Sequence, residues 1–225
     1  LKKAEAGGDK QLEGMLIDPL VKAVEFAWHF MHPDGSYTGE YGSRNTYHFY
    51  PHGFEVMAPY TEKAGQIADQ YLVSVANGKR YFNEDDRMCC HLIYDWLHAW
   101  EDRTAQRPAQ PLNARENFVK WMPAAGFAVV KTDDYYAVAN LRKGGVFKAY
   151  DAEHCIASDT APIAQLDDGR TVVTHLMDEQ HKVTADPAAR TFAVEGVFSV
   201  RQRKLSSPVK LIIFRIVNLT ASRYF

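Results

Sequence analysis

The apolar residues of this chain change their spacing once, across a polar segment with two prolines at residues 104–117. Before this segment, apolar side chains recur at the intervals of an amphipathic helix, as Val24 and Trp28 do. After it, apolar and polar residues alternate in short runs, which is typical of β-strands. We therefore expect an α+β multidomain fold, with a helical domain over 1–103, a linker over 104–117 and an antiparallel β-sheet domain over 118–225.

Local signals predict where the first long helix begins and ends. Asp18 and Pro19 form the N-cap and first-turn pairing that commonly opens a helix, so we expect the helix to begin there. The polar, glycine-containing residues 1–11 are expected to be irregular. Pro33-Asp34-Gly35 has turn chemistry and predicts the end of this helix.

Two further helical regions are predicted before the linker. The first begins near Pro51, is interrupted around Pro59 and ends at Asn77-Gly78, a typical C-terminal cap. The second follows Asn83, whose acidic neighbours suit the positive end of a helix dipole. It runs to about Glu101.

Short alternating runs separated by turn residues fill the rest of the chain. Asp133-Asp134 and Lys143-Gly144-Gly145 are typical hairpin turns. No helical pattern separates the runs, so the sheet should be antiparallel. The expected strands are residues 127–130, 135–139, 146–150, 162–166, 170–176, 181–185, 190–200 and 208–217.

Composition excludes several functional classes. A formal net charge of −2 offers no field for nucleic acid or an anionic membrane, and no apolar run has the roughly 18 residues that a membrane span needs. Cys89 and Cys90 are adjacent with no second cysteine pair, so we expect reduced thiols, which favours a cytoplasmic over a periplasmic location without fixing it. Because the chain starts at Leu1 without methionine, we expect it to be a piece of a longer protein.

The richest stretch chemically is residues 34–55, with the sequence DGSYTGEYGSRNTYHFYPHGFE. It combines tyrosines, histidines, acids, an arginine and an asparagine with Gly35, Gly39 and Gly42, so most of it should be a loop. Loops on a rigid scaffold often carry binding and catalytic groups. We expect residues 34–50 to line a cleft that faces the sheet. The alternative is an ordered connector whose tyrosines pack in the core.

Two segments resemble parts of known polysaccharide lyases. The first is IDPLVKAVEFAWHFMHPDGSYTGE, which is similar to one repeat of an α/α toroid, and the second is GFAVVKTDDYYAVANLRKGG, which resembles the start of a sheet domain. Together they resemble the heparinase II/III-like and alginate-lyase-like superfamily. The resemblance implies that the chain is a C-terminal part of such a protein: part of an α/α toroid followed by an antiparallel β-sandwich. It implies an acidic, uronate-containing polysaccharide or oligosaccharide as the partner.

The activity implied by this resemblance is β-elimination, which needs a group to neutralise the uronate carboxylate, a base and an acid. Asn45 with Arg44 would neutralise the carboxylate, His48 or His52 would be the base, and Tyr41 or Tyr47 the acid. The full set is Asn45, His48, His52, Tyr41 and Tyr47 as catalytic candidates and Arg44, Glu40, Glu55 and Tyr50 as substrate-binding candidates. The superfamily's Asn-Asn-His-Gly type motif is absent, and Arg44-Asn45-Thr46 is the nearest stretch.

Other interpretations of these residues stay open. Arg44 could instead pair with Glu40 or Glu55, and His52 could cap the helix that starts at Pro51. A metal site of His48, His52 and Glu55 does not match the HExxH spacing, so no metal and no cofactor are predicted. The alternative function is a non-catalytic glycan-binding or exopolysaccharide-assembly protein of the same fold. A terpenoid cyclase relative would share the repeat turn but would not carry the sheet domain.

Three histidines of the sheet part, His154, His175 and His181, have no partner motif in the sequence. We expect them to be surface or core residues. The sequence leaves the oligomeric state open.

Overall fold

The computed structural model describes residues 1–42, 49–78, 86–151, 154–176, 181–201 and 207–221. The helices are α1 (Lys2–Ala6), α2 (Lys10–Trp28), α3 (His52–Met57), α4 (Glu62–Ala76), α5 (Asp86–Glu101) and, last in the chain, α6 (Pro208–Ala221). The strands are β1 (Phe118–Met122), β2 (Phe127–Lys131), β3 (Tyr136–Asn140), β4 (Val146–Tyr150), β5 (Cys155–Asp159), β6 (Ile163–Gln165), β7 (Thr171–Val173), β8 (Lys182–Asp186), β9 (Thr191–Glu195) and β10 (Ser199–Val200). Two short 3-10 helices span Leu112–Ala114 and Leu141–Lys143.

The change of spacing in the sequence corresponds to a change from helices to strands. Helix α5 ends at Glu101 and strand β1 begins at Phe118. All strand pairs of the described residues are antiparallel. The fold is therefore mixed α/β with antiparallel sheets, and the prediction of antiparallel pairing is confirmed.

The predicted start of the first long helix is wrong. Helix α2 begins at Lys10, where the side chain of Asp9 accepts a hydrogen bond from the backbone N–H of Leu12 at 3.0 Å, and Pro19 lies inside the helix. The N-terminal residues are also not irregular, since they form α1. An N-cap at Asp9 already satisfies a free N–H of the first turn, and the later proline removes only one interior hydrogen bond.

Helices α2, α3 and α4 share one hydrophobic core. Its most deeply buried side chains are Val24, Ala27, Met31, Phe49, Met57, Ala64, Ile67, Tyr71 and Leu112. The turn after α2 approaches α4 closely at Gly35, whose φ is +77° and where a Cβ would lie 2.3 Å from the Cβ of Ser74. A glycine is required here for both reasons, and the predicted turn at the end of α2 is confirmed.

Strands β1 to β5 form a five-stranded meander in sequence order. The predicted turns join β2 to β3 and β3 to β4, and the first is closed by a hydrogen bond from the N–H of Thr132 to the carbonyl of Tyr135 at 2.8 Å. Strands β1 and β5 were not predicted. Their side chains are half-exposed or exposed, so they lack the buried alternation that the sequence search depended on.

Two smaller sheets follow the meander. Strands β6, β7 and β10 form one, and β8 pairs with β9 in the other. The strand expected over 190–200 is divided between β9 and β10. Gly196 lies in the interruption, and a Cβ there would be 2.7 Å from Nδ1 of His181, so the chain passes too close to that ring for a side chain.

The strand predicted over 208–217 is wrong, because these residues belong to helix α6. The backbone N–H of Lys210 donates to Oγ of Ser207 at 3.3 Å, and Pro208 occupies the first helical position, where proline is well tolerated. A short apolar run fits a buried strand and a helix equally well by spacing alone. Among the described residues, no helix has both the length and the apolar character that crossing a bilayer requires.

The C-terminal end of α2 is joined to the sheet by Arg115 and Tyr136. The guanidinium of Arg115 donates to the carbonyls of Trp28 at 2.9 Å and Met31 at 3.0 Å, and Tyr136 donates its hydroxyl hydrogen to the carbonyl of His29. The same guanidinium lies 4.9 Å from the ring of Trp28 and 4.5 Å from that of Tyr136. These bonds satisfy carbonyls that a helix end leaves without intrahelical partners.

Replacing Arg115 with alanine should weaken this junction severely. Arg115 is 8% exposed, and its loss leaves two carbonyls unsatisfied and removes two ring contacts. We expect Arg115→Ala to lower the free energy of unfolding by roughly 3 kcal/mol, measured by urea denaturation.

Arg170→Ala is the matched control, because Arg170 is exposed and its ion pair in the described part of the chain is a local one, with Asp168 at 2.6 Å. Its effect should stay within about 0.5 kcal/mol. Equal losses in the two variants would contradict a special role for Arg115.

Candidate functional site

A buried hydrogen-bond chain fixes the beginning of the 34–55 stretch. Nε2 of His32 lies 2.7 Å from the hydroxyl of Tyr41, Nδ1 lies 2.6 Å from Oγ of Ser36, and Ser36 donates to Asp34 at 2.6 Å. Since the hydroxyl hydrogen of Ser36 goes to Asp34, the Ser36 oxygen accepts from Nδ1–H of His32, and Nε2 shares a hydrogen bond with the Tyr41 hydroxyl. The four groups thus form one continuous hydrogen-bond chain that ends at the Asp34 carboxylate.

The sheet closes over this chain through Tyr150. Its ring stacks on His32 with centroids 4.7 Å apart, and its hydroxyl lies 2.9 Å from Nδ1. Tyr41 is 1% exposed, and burial raises the pKa of its hydroxyl well above the usual range. Tyr41 is thus enclosed between the α2 exit turn and the sheet.

Residues 40–42 are bonded directly to the β3–β4 hairpin. Nδ2 of Asn140 donates to the carbonyl of Tyr41 at 2.8 Å. Nζ of Lys143 donates to the carbonyls of Glu40 and, at 2.8 Å, Gly42. The Glu40 carboxylate pairs with Lys148 at 2.7 Å. Three side chains of one hairpin therefore hold this end of the loop.

The other end of the loop is held by the helices. Phe49 is 3% exposed. Its ring stacks on that of Phe54, with centroids 5.0 Å apart, and contacts that of Tyr71, with centroids 4.2 Å apart. Segment 43–48 thus joins an end fixed to the sheet with an end fixed in the helical core. Arg44, Asn45, Tyr47 and His48 lie in this segment, outside the described residues.

His52 is directed towards α5 instead of the sheet. Its Nε2 lies 2.6 Å from the Asp102 carboxylate, its ring stacks on His98 at 5.2 Å, and its backbone N–H donates to Asp95 at 3.2 Å. Asp102 also bonds to Lys2, and this bond and that to His52 lower the pKa of Asp102. None of these contacts brings His52 to Tyr41.

The remaining substrate-binding candidates also have separate neighbours. Glu55 is 3% exposed and pairs at 2.7 Å with Arg107, which also binds Asp69 at 2.6 Å. Tyr50 is 44% exposed. In the part of the chain that the structure describes, no group of three or more His, Cys, Asp or Glu side chains is arranged to hold a metal ion.

His175 lies near the sheet-side end of the loop, which the sequence did not reveal. Burial lowers the pKa of His175, and the nearby cations Lys143 and Arg201 lower it further. Its buried Nδ1 has no hydrogen-bond partner among the described residues. Gly144 allows this approach, because a Cβ there would be 2.2 Å from the carbonyl oxygen of Thr174. This contact joins the β3–β4 turn to the residues that follow β7, which belong to different sheets, so no local motif could have indicated it.

Comparison with family models, curated proteins and solved structures finds no match for this chain. The resemblance to heparinase-like and alginate-lyase-like enzymes therefore stays a prediction.

The buried tyrosines should make the fold sensitive to alkaline pH. Burial raises the pKa of Tyr41, Tyr136 and Tyr150, that of Tyr136 to about 12, from a usual value of 10.0. Unfolding lets these hydroxyls ionise at lower pH, so their contribution to stability is complete below about pH 10 and is lost as the pH rises through the folded pKa values. We expect tyrosinate absorbance of these residues to appear together with loss of the circular dichroism signal.

Tyr41→Phe removes one of these ionisable groups, so the free energy of unfolding should fall less steeply with alkaline pH. At neutral pH the variant should lose about 1 kcal/mol, the usual net value of one hydrogen bond. Ionisation of all three hydroxyls in a protein that is still folded near pH 10 would contradict this expectation.

Proposed function

We propose that this chain is part of a polysaccharide lyase-like protein that cleaves an acidic, uronate-containing glycan by β-elimination. In this proposal the helices are part of an α/α toroid and the antiparallel sheets belong to a β-sandwich. The observation that supports it best is the position of Lys143, which bonds to the carbonyls of Glu40 and Gly42 and acts electrostatically on His175. A cation and a neutral imidazole thus lie beside the start of segment 43–48.

Carboxylate neutralisation is assigned to Arg44 and Asn45, and Lys143, which bonds to the Gly42 carbonyl, adds positive charge at this end of the loop. Proton abstraction next to a uronate carboxyl group builds negative charge on that group. Donors that are already in place stabilise this charge in the transition state more than in the ground state. Burial lowers the pKa of Lys143, which reflects a site where charge interactions are poorly screened by water.

The base and the acid are assigned to residues other than Tyr41 and His52. His48 is the proposed base, and His175 is a second candidate because a neutral imidazole can accept a proton. Tyr47 is the proposed acid. Tyr41 and His52 receive supporting roles, since the first is hydrogen-bonded to His32 and the second pairs with Asp102.

The alternative function is glycan binding without cleavage. Two of the nine candidate residues favour it. Tyr41, a possible acid, is enclosed and cannot contact a polymer, and His52, a possible base, is paired with Asp102. Carboxylate recognition by Arg44, Asn45 and Lys143 would persist in such a protein.

The proposal predicts a large loss of turnover when a base or a carboxylate-binding group is removed. We expect Asn45→Ala to reduce cleavage about 10²–10³-fold. Removal of the true base, by His48→Ala or His175→Ala, should reduce it about 10²–10⁴-fold. The measurement is the ultraviolet absorbance of the unsaturated uronate product, on the full-length protein with a panel of uronate glycans.

His154→Ala is the matched control, because the side chain of His154 is 75% exposed and its ion pair among the described residues is with Asp151, three positions earlier. It should leave turnover unchanged. If the intact protein binds uronate glycans but forms no unsaturated product, the binding function replaces the lyase function. If activity falls only in proportion to the folded fraction, the assigned residues are structural.

A further inference from the structure

A second cleft lies at the opposite end of strand β3 from Lys143. Its volume is about 230 Å³, and it is formed by the turn after α2, the segment that leads into β1 and the β2–β3 turn. Strand β3 separates the β2–β3 turn from the β3–β4 turn, so roughly 13 Å of strand lies between this cleft and Lys143. The cleft therefore does not belong to the site proposed for the acidic glycan.

Two residues that line the cleft, Asn113 and Arg115, each have a buried polar atom without a hydrogen-bond partner in the described part of the chain, one an acceptor and one a donor. Nδ2 of Asn113 donates to the carbonyl of Pro33 at 2.9 Å, which fixes the orientation of the amide and leaves Oδ1 as an acceptor. The Nη atoms of Arg115 are used by the carbonyls at the end of α2, which leaves Nε–H as a donor. Both Oδ1 and Nε are buried and have no hydrogen-bond partner among the described residues.

Leaving these two atoms unsatisfied is unfavourable, at about 1–3 kcal/mol for each buried polar group. A hydroxyl both donates and accepts, so hydroxyl groups can satisfy an acceptor such as Asn113 Oδ1 and a donor such as Arg115 Nε. An apolar ligand would leave both atoms unsatisfied.

The mouth of the cleft adds acceptors and an aromatic surface. Carboxylates of Asp133, Asp134 and Asp151 line it, and Asp133 is oriented by a hydrogen bond from Nδ2 of Asn117 at 2.8 Å. The ring of Tyr135 is 39% exposed beside them. Ionised carboxylates only accept hydrogen bonds, so they suit hydroxyl donors, and an exposed aromatic face suits the C–H face of a sugar ring.

The charge of the cleft excludes the ligand class proposed for the other site. Three carboxylates face the two cations Lys131 and Arg115, and Lys131 already donates to the carbonyl of Thr132 at 2.5 Å. A uronate or phosphate would meet this excess of negative charge. The volume is also below the roughly 300–1,000 Å³ of sites for drug-sized ligands, which limits the ligand to about one ring.

We infer that this cleft binds one neutral pyranose ring, with Asn113, Arg115 and the aspartates on its hydroxyls and Tyr135 against its C–H face. The inference does not depend on the lyase proposal. The ligand is a free neutral sugar or the terminal residue of a neutral glycan, and these share the same chemistry.

The test titrates the full chain with neutral monosaccharides, with the corresponding neutral trisaccharides, with glucuronate and with glucosamine, using calorimetry and ligand-observed NMR. We expect a neutral sugar to bind with a Kd in the millimolar range and Tyr135→Ala to weaken this binding, whereas any glucuronate binding should be the same in the wild type and in Tyr135→Ala. Monosaccharide binding as tight as trisaccharide binding identifies a free sugar, and tighter trisaccharide binding identifies the end of a chain; both support the inference.

Tyr135→Ala should weaken neutral-sugar binding about fivefold, because it removes an exposed stacking surface. Asp134→Asn should weaken it as well. Tyr94→Ala is the matched control, since Tyr94 is 55% exposed on α5 away from the cleft, and it should leave binding unchanged. Melting temperatures verify that all three variants are folded.

Three results would overturn the inference. The first is the absence of neutral-sugar binding well above millimolar concentration. The second is binding of glucuronate or of glucosamine that Tyr135→Ala weakens, which would identify an anion or an amine as the ligand of this cleft. The third is neutral-sugar binding that Tyr135→Ala and Tyr94→Ala affect equally. Because no step uses glycan cleavage, failure here leaves the lyase proposal untouched.

Discussion

The arrangement of helices and sheet depends on a buried arginine that has no carboxylate partner among the described residues. The guanidinium of Arg115 donates hydrogen bonds to the carbonyls of Trp28 and Met31 and contacts the rings of Trp28 and Tyr136. The C-terminal end of a helix carries partial negative charge, so these carbonyls stabilise a cation there. Burial lowers the pKa of Arg115, but an arginine side chain remains charged, and removing its partners would be costly. The direction of the α2 exit turn is thereby fixed.

Both candidate sites follow from this fixed turn. On one side, the turn carries the hydrogen-bond chain from Tyr41 to Asp34, over which Tyr150 closes, and so delivers residues 40–42 to the β3–β4 hairpin. On the other side, the Pro33 carbonyl orients Asn113, which lines the second cleft. The proposed functional groups lie on loops. Buried polar groups of helices and strands position these loops, which restricts the conformations that the loops can adopt.

The sequence predicted what depends on local pattern and missed what depends on distant contacts. The alternation around β2, β3 and β4 was sufficient because these strands bury one set of side chains. A strand was wrongly predicted at α6 because a continuous apolar run has the same spacing in a strand and in a helix. The feature that indicates a helix is its start at Ser207-Pro208. The segment containing Arg115 was interpreted as a polar linker, since nothing local shows that its guanidinium reaches two carbonyls more than eighty positions earlier. The catalytic assignments on segment 43–48 stay predictions.

The meander gives its two ends opposite electrostatic character. Consecutive hairpin turns of a meander lie at opposite ends of the shared strand, so the turn with Asp133 and Asp134 lies at one end of β3 and the turn with Lys143 at the other. At one end carboxylates outnumber cations and favour hydroxyl donors, whereas at the other a poorly solvated lysine lies beside a neutral histidine. A single small site cannot bind a ligand carboxylate next to several aspartate side chains, because like charges repel strongly where water is excluded. In our proposals, separation along one strand lets one scaffold contact both chemical classes.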